Sequence, residues 1–109
     1  MEKIYNKLVR DNIPEIIKAD QGAPKTRILV GQEFIIELLK KLKEEAEELA
    51  QAKEDKPEMI KEIGDVYEVI DAIIEYYNLD RTEILKLKEE RKQQRGGFRK
   101  KIYLASVKN

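Results

Sequence analysis

The segment 34–77 constrains the fold of this chain most strongly, because its apolar residues recur at the spacing of two long amphipathic helices. The first helix is predicted over about 31–52, where a turn at Asp55-Lys56-Pro57 ends it, and the second helix is predicted to follow that turn and run to about Tyr77. A connection of only a few residues makes successive helices antiparallel. The sequence therefore predicts a mainly α-helical protein organised around this pair.

Each of these helices carries two acidic residues, three positions apart, on or beside its apolar face. Glu45 and Glu48 lie on the first helix, and Glu62 and Asp65 lie on the second. Side chains at i and i+3 share one face of a helix. A carboxylate on an apolar face is costly to bury unless it is paired or coordinates a metal. The four acids are thus predicted to converge between the helices, whereas a solvated face accounts for four other acids: Glu47, Glu68, Asp71 and Glu75.

The positive charge that such a cluster needs is predicted to come from a metal ion. The neighbouring lysines are expected to project mostly elsewhere: Lys40, Lys41, Lys43 and Lys61. Oxygen-only ligands suit Mg²⁺, Mn²⁺ or Ca²⁺ rather than zinc. Mg²⁺ bound by carboxylates usually keeps several waters and contacts substrate phosphates. We therefore expect Mg²⁺ as the cofactor, with Mn²⁺ as the alternative, and phosphate chemistry at the site.

Composition excludes several other classes of function. The chain contains no Cys and no His, so disulfides, Cys/His zinc sites and Cys or His catalysis are excluded. Its 22 basic residues equal its 22 acidic residues, so no overall field attracts nucleic acid. No apolar run is long enough to span a membrane, and Met1-Glu2-Lys3 does not open a signal peptide. We expect a cytoplasmic protein that binds neither membrane nor nucleic acid.

Shorter elements are predicted on both flanks of the helix pair. A short helix is expected over about 13–19, and a third longer helix over about 81–94, capped by Asp80. Alternating apolar residues predict two short strands, over 25–30 and 99–107, that pair as a small two-stranded β element. The first short helix is expected to turn three residues inward: Ile13, Ile16 and Ile17. A chain of 109 residues with these elements is predicted to form one domain, 1–109, whose modest core favours oligomerisation.

The acidic motif, E-E-x-x-E at Glu44 to Glu48 followed by E-x-x-D at Glu62 to Asp65, resembles that of a known family. This family is the all-α nucleoside triphosphate pyrophosphohydrolases, the MazG-like and phosphoribosyl-ATP pyrophosphohydrolase-like group. The opening Lys7-Leu8-Val9-Arg10-Asp11-Asn12-Ile13-Pro14-Glu15 and the closing Arg95-Gly96-Gly97-Phe98 resemble a small subgroup of predicted house-cleaning enzymes. The resemblance covers essentially the whole chain.

This resemblance implies an α-helical homodimer or homotetramer in which two helical hairpins complete a four-helix core. It also implies hydrolysis of a nucleoside triphosphate, including modified ones, between the α- and β-phosphates to a monophosphate and pyrophosphate. The residues that match the family's metal-binding acids are Glu45, Glu48, Glu62 and Asp65. The candidates for the catalytic carboxylate are Glu44 and Glu45, and the resemblance leaves open which acid is the base and whether one metal ion or two are bound.

Basic residues in the two flanking signatures are candidates for contacting substrate phosphates: Lys7, Arg10 and Arg95. Arg10 and Arg95 are favoured because each lies beside a turn or cap, although ordinary solvation would also explain a basic residue there. Two other functions remain open at this point. One is a non-enzymatic helical interaction module whose acids pair with a partner's Lys or Arg. The other is a nucleic-acid binder using 91–101, which the zero net charge disfavours.

Overall fold

The computed structural model describes all residues from Met1 to Asn109 and confirms a mainly α-helical fold, with 60% of the chain in helices. Its four helices are α1 (Ile13–Ala19), α2 (Gly31–Gln51), α3 (Lys56–Tyr77) and α4 (Arg81–Arg95). All four predicted helices are present, and α3 begins at Lys56, inside the segment that was expected to form the turn. None of them is long and apolar enough to cross a membrane.

The chain divides into two compact units, Met1–Tyr77 and Asn78–Asn109. The first unit contains α1, α2 and α3, and the second contains α4 followed by an irregular tail. The expectation that 1–109 acts as one domain stays a prediction.

The α2–α3 pair is an antiparallel hairpin, as predicted. The first turn of α2 lies beside the last turn of α3, where the rings of Phe34 and Tyr76 have centroids 5.2 Å apart. The Tyr76 hydroxyl also donates a hydrogen bond to the Gly31 carbonyl at 3.4 Å. These contacts fix the open end of the hairpin and thereby the register in which the acids of the two helices meet.

Short polar side chains begin two of the helices. The Asp55 carboxylate accepts a hydrogen bond from the Glu58 N–H at 3.2 Å, which caps α3. Asp80 accepts from the N–H groups of Thr82 and Glu83 at 2.9 and 3.4 Å, so its predicted cap on α4 is confirmed. These caps satisfy N–H groups that have no partner within their own helix.

α1 ends in a tight turn that depends on Gly22. The Gly22 N–H donates to the Ile17 carbonyl at 2.8 Å and the Gln21 N–H to the Lys18 carbonyl at 3.0 Å, the two bonds of a Schellman motif. A Cβ on Gly22 would lie 2.5 Å from Cγ2 of Ile17 and 3.1 Å from its carbonyl oxygen. The chain therefore leaves α1 along a path that only glycine allows without rearrangement.

The interior of the first unit is small and contains charge. Three apolar side chains are buried, Leu38 on α2 and Val69 and Ile74 on α3, together with Glu45 and Glu62. α1 contributes no buried residue, and the prediction that Ile16 and Ile17 point inward is wrong. A helix of two turns cannot bury its own apolar side chains, and these become buried only where another element packs on them.

The predicted β element is also absent. Residues 25–30 and 99–107 have no regular secondary structure, and there is no strand in the chain. In the second segment the Lys101 N–H donates to the nearby Phe98 carbonyl at 3.1 Å, a local turn rather than a ladder. A segment with alternating apolar residues forms a strand only where a neighbouring strand supplies the backbone hydrogen bonds.

The hairpin has one apolar side that no other part of its unit covers. We call the exposed residues Leu39, Ala46, Ile60, Ile63, Tyr67 and Ile70 the apolar side. Four of its members directly follow buried residues of their helix, as Leu39 follows Leu38 and Ile63 follows Glu62. One step along a helix is a rotation of about 100°, and equal rotations on antiparallel helices lead to the same side of the pair. The apolar arc of α3 is therefore wider than the part of it that α2 covers.

Candidate metal centre

Three carboxylates from the two long helices meet in the middle of the hairpin. Glu45, Glu48 and Glu62 each offer one oxygen, and these oxygens lie within 4.8 Å of one another. α2 supplies two of them from adjacent turns of one face, and α3 supplies the third from its second turn. The predicted convergence of acids is thus seen for three of the four residues.

Two of these carboxylates are buried and incompletely paired. Glu45 is 7% exposed and Glu62 is 2% exposed. The Oε2 atom of each has no hydrogen-bond partner. A buried polar atom without a partner loses its hydration and gains nothing in return. These two Oε2 atoms therefore keep free lone pairs that a cation or a hydrogen-bond donor could contact.

The electrostatic strain of the cluster falls on Glu45. Burial, and after it the nearby carboxylate of Glu48, raises the pKa of Glu45 to about 7. Lys41 acts in the opposite direction and Asp65 adds to the rise. Burial and the neighbouring carboxylates thus both disfavour ionisation of Glu45.

Two lysines pair with the cluster, which corrects the expectation that they project elsewhere. Lys61 Nζ lies 2.9 Å from Glu62 Oε1, and Lys41 Nζ lies 3.6 Å from Glu45 Oε1. The hydrogen bond from Lys61 lowers the pKa of Glu62, although burial opposes this, and Glu62 raises the pKa of Lys61 in return. Long flexible stems let a lysine reach a carboxylate on a neighbouring face of its helix, a reach that the helical wheel does not represent.

The fourth predicted ligand, Asp65, lies apart from the group of three. Its Oδ1 accepts a hydrogen bond from Nη2 of Arg10 at 2.7 Å. Similarly, Glu44 Oε1 lies 3.4 Å from Lys7 Nζ and 3.6 Å from Lys41 Nζ. Lys7 and Arg10, expected to bind phosphates, are therefore found beside the predicted acids. Arg95 lies in the last turn of α4, in the second unit, and is exposed.

Beside the cluster is an open groove with a volume of about 360 Å³. Its lining residues are Glu48, Gln51, Ala52, Glu58, Lys61 and Glu62. Glu58 and Lys61 were missed as site residues by the sequence reasoning. The sequence did contain a signal for both residues. Glu58 lies one turn before Glu62 and Lys61 directly precedes it, and side chains at these positions can reach the carboxylate of Glu62.

The residues present fit a hard divalent cation. All donors are carboxylate oxygens, the ligands that Mg²⁺ and Mn²⁺ prefer. Ligand oxygens of Mg²⁺ are about 3.0 Å apart when adjacent and about 4.2 Å apart when opposite, so oxygens within 4.8 Å of one another must move closer by small side-chain rotations to share one ion. The unpartnered Oε2 atoms of Glu45 and Glu62 supply free lone pairs for such an ion. Lys41 and Lys61 contact these two acids and would compete with such an ion.

Comparison of the chain with protein-family models, with curated proteins and with solved structures found no match.

Proposed function

We propose that this protein is a divalent-metal-dependent hydrolase that cleaves nucleoside triphosphates between the α- and β-phosphates. The observation that carries the proposal is the group of Glu45, Glu48 and Glu62, in which two buried carboxylates each keep an unpartnered oxygen. Such a group, made only of oxygen donors, suits Mg²⁺ or Mn²⁺. The resemblance of the acidic motif to nucleotide pyrophosphohydrolases supports the choice of substrate.

The surroundings of the acids support a polyphosphate substrate. A bound divalent ion would neutralise phosphate charge and favour ionisation of a water. Arg10 and Lys7 are held at the acids by ion pairs with Asp65 and Glu44, so two cations lie where an anionic substrate would approach. The groove beside Glu62 gives the chain of phosphates room to extend. Arg95 is proposed as a further phosphate contact from its signature at the end of α4.

The proposed reaction needs one proton acceptor and one oriented water. The water oxygen bonds to the α-phosphorus, the bond from this phosphorus to the bridging oxygen breaks, and pyrophosphate leaves. The proton of the water passes to a carboxylate, for which Glu44 and Glu45 are the candidates. Glu45 and Glu48 on α2, and Glu62 and Asp65 on α3, hold the ion, so that α2 and α3 both position the reacting groups.

A substrate panel tests this proposal. The protein is incubated with natural and modified nucleoside triphosphates and Mg²⁺ or Mn²⁺, and products are separated by ion-exchange chromatography. Monophosphate and pyrophosphate in equal amounts are expected, whereas diphosphate and phosphate would indicate cleavage at the other anhydride. Glu62→Gln is expected to lose activity at least a hundredfold, and Glu68→Gln, an exposed acid of α3, serves as the matched control. A panel with no product from any nucleotide refutes the proposal.

The active form is proposed to be a homodimer or homotetramer in which the apolar sides of two hairpins pack together. The hairpin buries only three apolar side chains by itself, while Ile60 and Tyr67 are 74% and 65% exposed. Exposed apolar stripes of this kind on both helices are typical of an interface. Glu44 and Lys61 directly precede the buried residues Glu45 and Glu62, whereas Leu39 and Ile63 directly follow buried residues. Glu44 and Lys61 therefore lie on the side of the hairpin opposite to the apolar side. Association through the apolar side thus leaves the opposite margin of the acidic group accessible.

A second candidate is a non-enzymatic interaction module. The observation that favours it is that lysine and arginine side chains pair with Glu62 and Asp65. A partner's Lys or Arg would then bind in the same way while its apolar residues cover Ile60 and Tyr67. Calorimetric titration with Mn²⁺ distinguishes the two functions. The hydrolase is expected to bind the ion at the acidic group, whereas the interaction module needs no ion and is expected to bind it weakly or not at all.

A further inference from the structure

The segment before α1 is fastened to the hairpin by two ion pairs, and both involve predicted site acids. Lys7 pairs with Glu44 of α2, and Arg10 pairs with Asp65 of α3. These pairs join residues 37 and 55 positions apart in the chain. Arg10 also holds the start of α1, because its carbonyl accepts the Ile13 N–H at 3.0 Å. The position of the segment is therefore coupled to the charge state of the acids.

Asp65 differs from the other acids in its partner. Glu45, Glu48 and Glu62 form the group within 4.8 Å, and Asp65 is outside it while Arg10 donates to its Oδ1 at 2.7 Å. Yet Asp65 lies one turn after Glu62 on the same face of α3, and its charge contributes to raising the pKa of Glu45. Asp65 therefore lies next to the group along α3, one turn from Glu62.

We propose that Arg10 is a displaceable counter-ion that holds Asp65 out of the acidic group. Binding of a divalent cation to Glu45, Glu48 and Glu62 draws Asp65 in as a fourth ligand, breaks its pair with Arg10 and loosens the segment before α1 around Arg10, while Lys7 keeps its pair with Glu44. This inference rests on the proposed function, because it assumes that the group binds a metal. It adds a mechanism by which metal occupancy changes the accessibility of residues 1–12.

The charges and exposures make this exchange feasible. A divalent ion within the group repels the guanidinium of Arg10 and attracts the carboxylate of Asp65. The side chains of Arg10 and Asp65 are 55% and 27% exposed, so solvent hydrates the guanidinium after release. Ion pairs with exposed members contribute little to stability. The exchange therefore opposes metal binding only weakly, by a factor on the order of two to five in affinity.

The first test is the affinity for Mn²⁺, measured by isothermal titration calorimetry on the full chain. Arg10→Gln removes the competitor and is expected to bind Mn²⁺ about two- to fivefold more tightly than the unaltered protein. Arg27→Gln is the matched control, because Arg27 pairs with Glu33 at 2.6 Å away from the acidic group. Circular dichroism verifies that both variants keep their helices. Unchanged or weaker Mn²⁺ binding by Arg10→Gln overturns the exchange.

The second test is tryptic cleavage after Arg10, followed by mass spectrometry. Mn²⁺ is expected to accelerate this cleavage several-fold in the unaltered protein, while cleavage after Arg27 in the same sample keeps its rate. Asp65→Asn, which loses the ion pair, is expected to be cleaved after Arg10 rapidly with or without Mn²⁺. Equal rates with and without Mn²⁺ in the unaltered protein overturn the exchange alone. Failure of the unaltered protein to bind Mn²⁺ overturns the proposed function as well.

Discussion

Glu45 is the carboxyl group whose ionisation is most unfavourable in the folded protein. It sits on the face of α2 that packs against α3, it is 7% exposed, and its Oε2 has no partner. Burial and Glu48 together raise its pKa to about 7. Near neutral pH, and without metal, this carboxyl is therefore protonated in about half of the molecules. A metal ion would have to displace that proton, which couples its affinity to pH.

In the absence of metal, the free energy of unfolding should fall as pH rises from about 4.5 to about 7. Below the unfolded pKa of 4.5, Glu45 is protonated in both states; between the two pKa values only the folded state holds the proton. The hydrogen bond that lowers the pKa of Glu62 acts in the opposite sense, stabilising the fold above pH 4.5 and losing effect in more acidic solution. Urea denaturation at pH 5, 6, 7 and 8 measures the combined profile.

Glu45→Gln should remove the Glu45 contribution to this profile. We expect the variant to be about 1–2 kcal/mol more stable than the unaltered protein at pH 8 without metal, since it no longer buries a charge that solvent screens only partly. At pH 5 the two proteins should be nearly equal. Glu47→Gln, an exposed neighbour on α2, is the control and should match the unaltered protein at both pH values. A variant less stable at pH 8 would contradict a strained Glu45.

At the scale of elements, the hairpin depends on how α3 begins as well as on what it buries. The turn between α2 and α3 places Asp55 at the start of α3, where its carboxylate accepts the Glu58 N–H. This cap sits within one turn of Glu58 and within two turns of Lys61, and both residues line the groove beside Glu62. Loss of the first turn of α3 would therefore alter the groove, because Glu58 in that turn is one of the residues that line it.

Asp55→Ala should lower the free energy of unfolding by about 1 kcal/mol, because the first turn of α3 loses its side-chain cap. Asp55→Asn is the matched control, since asparagine caps about as well as aspartate but carries no charge. Equilibrium urea denaturation followed by circular dichroism at 222 nm compares the two. If asparagine costs as much as alanine, the role of Asp55 is its charge and not the hydrogen bond to Glu58.

At the scale of the whole molecule, stability is expected to depend on metal through the acidic group. An ion that binds only the folded state stabilises it by about 2.7 kcal/mol at a concentration of 100 times Kd. Differential scanning calorimetry should therefore show a Tm that rises by about 10 °C with saturating Mg²⁺. Glu45→Gln and Asp65→Asn should abolish the rise while remaining folded. An undiminished response in a folded Glu45→Gln would remove that residue from the ligand set.

The apolar side predicts self-association at the same scale. Tyr67→Glu and Ile60→Glu place a charge on side chains that are exposed in the single chain, so neither change should unfold the hairpin by itself. Both should shift sedimentation equilibrium toward the monomer and lower Tm, because the apolar side can no longer be covered. Leu87→Glu, at an exposed leucine of α4, is the control for adding a charge. Monomeric behaviour of the unaltered protein at 100 μM would refute the association.

Local patterns were sufficient for the helices but insufficient for the strands. The bounds of α1 and the cap at Asp80 follow from periodicity and capping chemistry within one segment. The strands predicted over 25–30 and 99–107 needed a partner, and neither segment has one. Periodicity likewise showed that α3 has a wide apolar arc, but it could not say which part of the arc α2 covers. Packing against α2 buries the part of the arc that contains Glu62 and Val69 and leaves Ile60 and Tyr67 exposed.

The amino-acid sequence by itself determined that Glu45 and Glu48 share one face of α2 and that Glu62 and Asp65 share one face of α3, because a spacing of three on a helix is a local property. Only the tertiary structure decided which cations accompany them. Lys61 reaches back to Glu62, and Arg10 crosses 55 positions of the chain to hold Asp65 apart from the group. Such partnerships depend on where distant segments lie after folding and on how far flexible side chains extend. Neither quantity is contained in the spacing of residues along one helix.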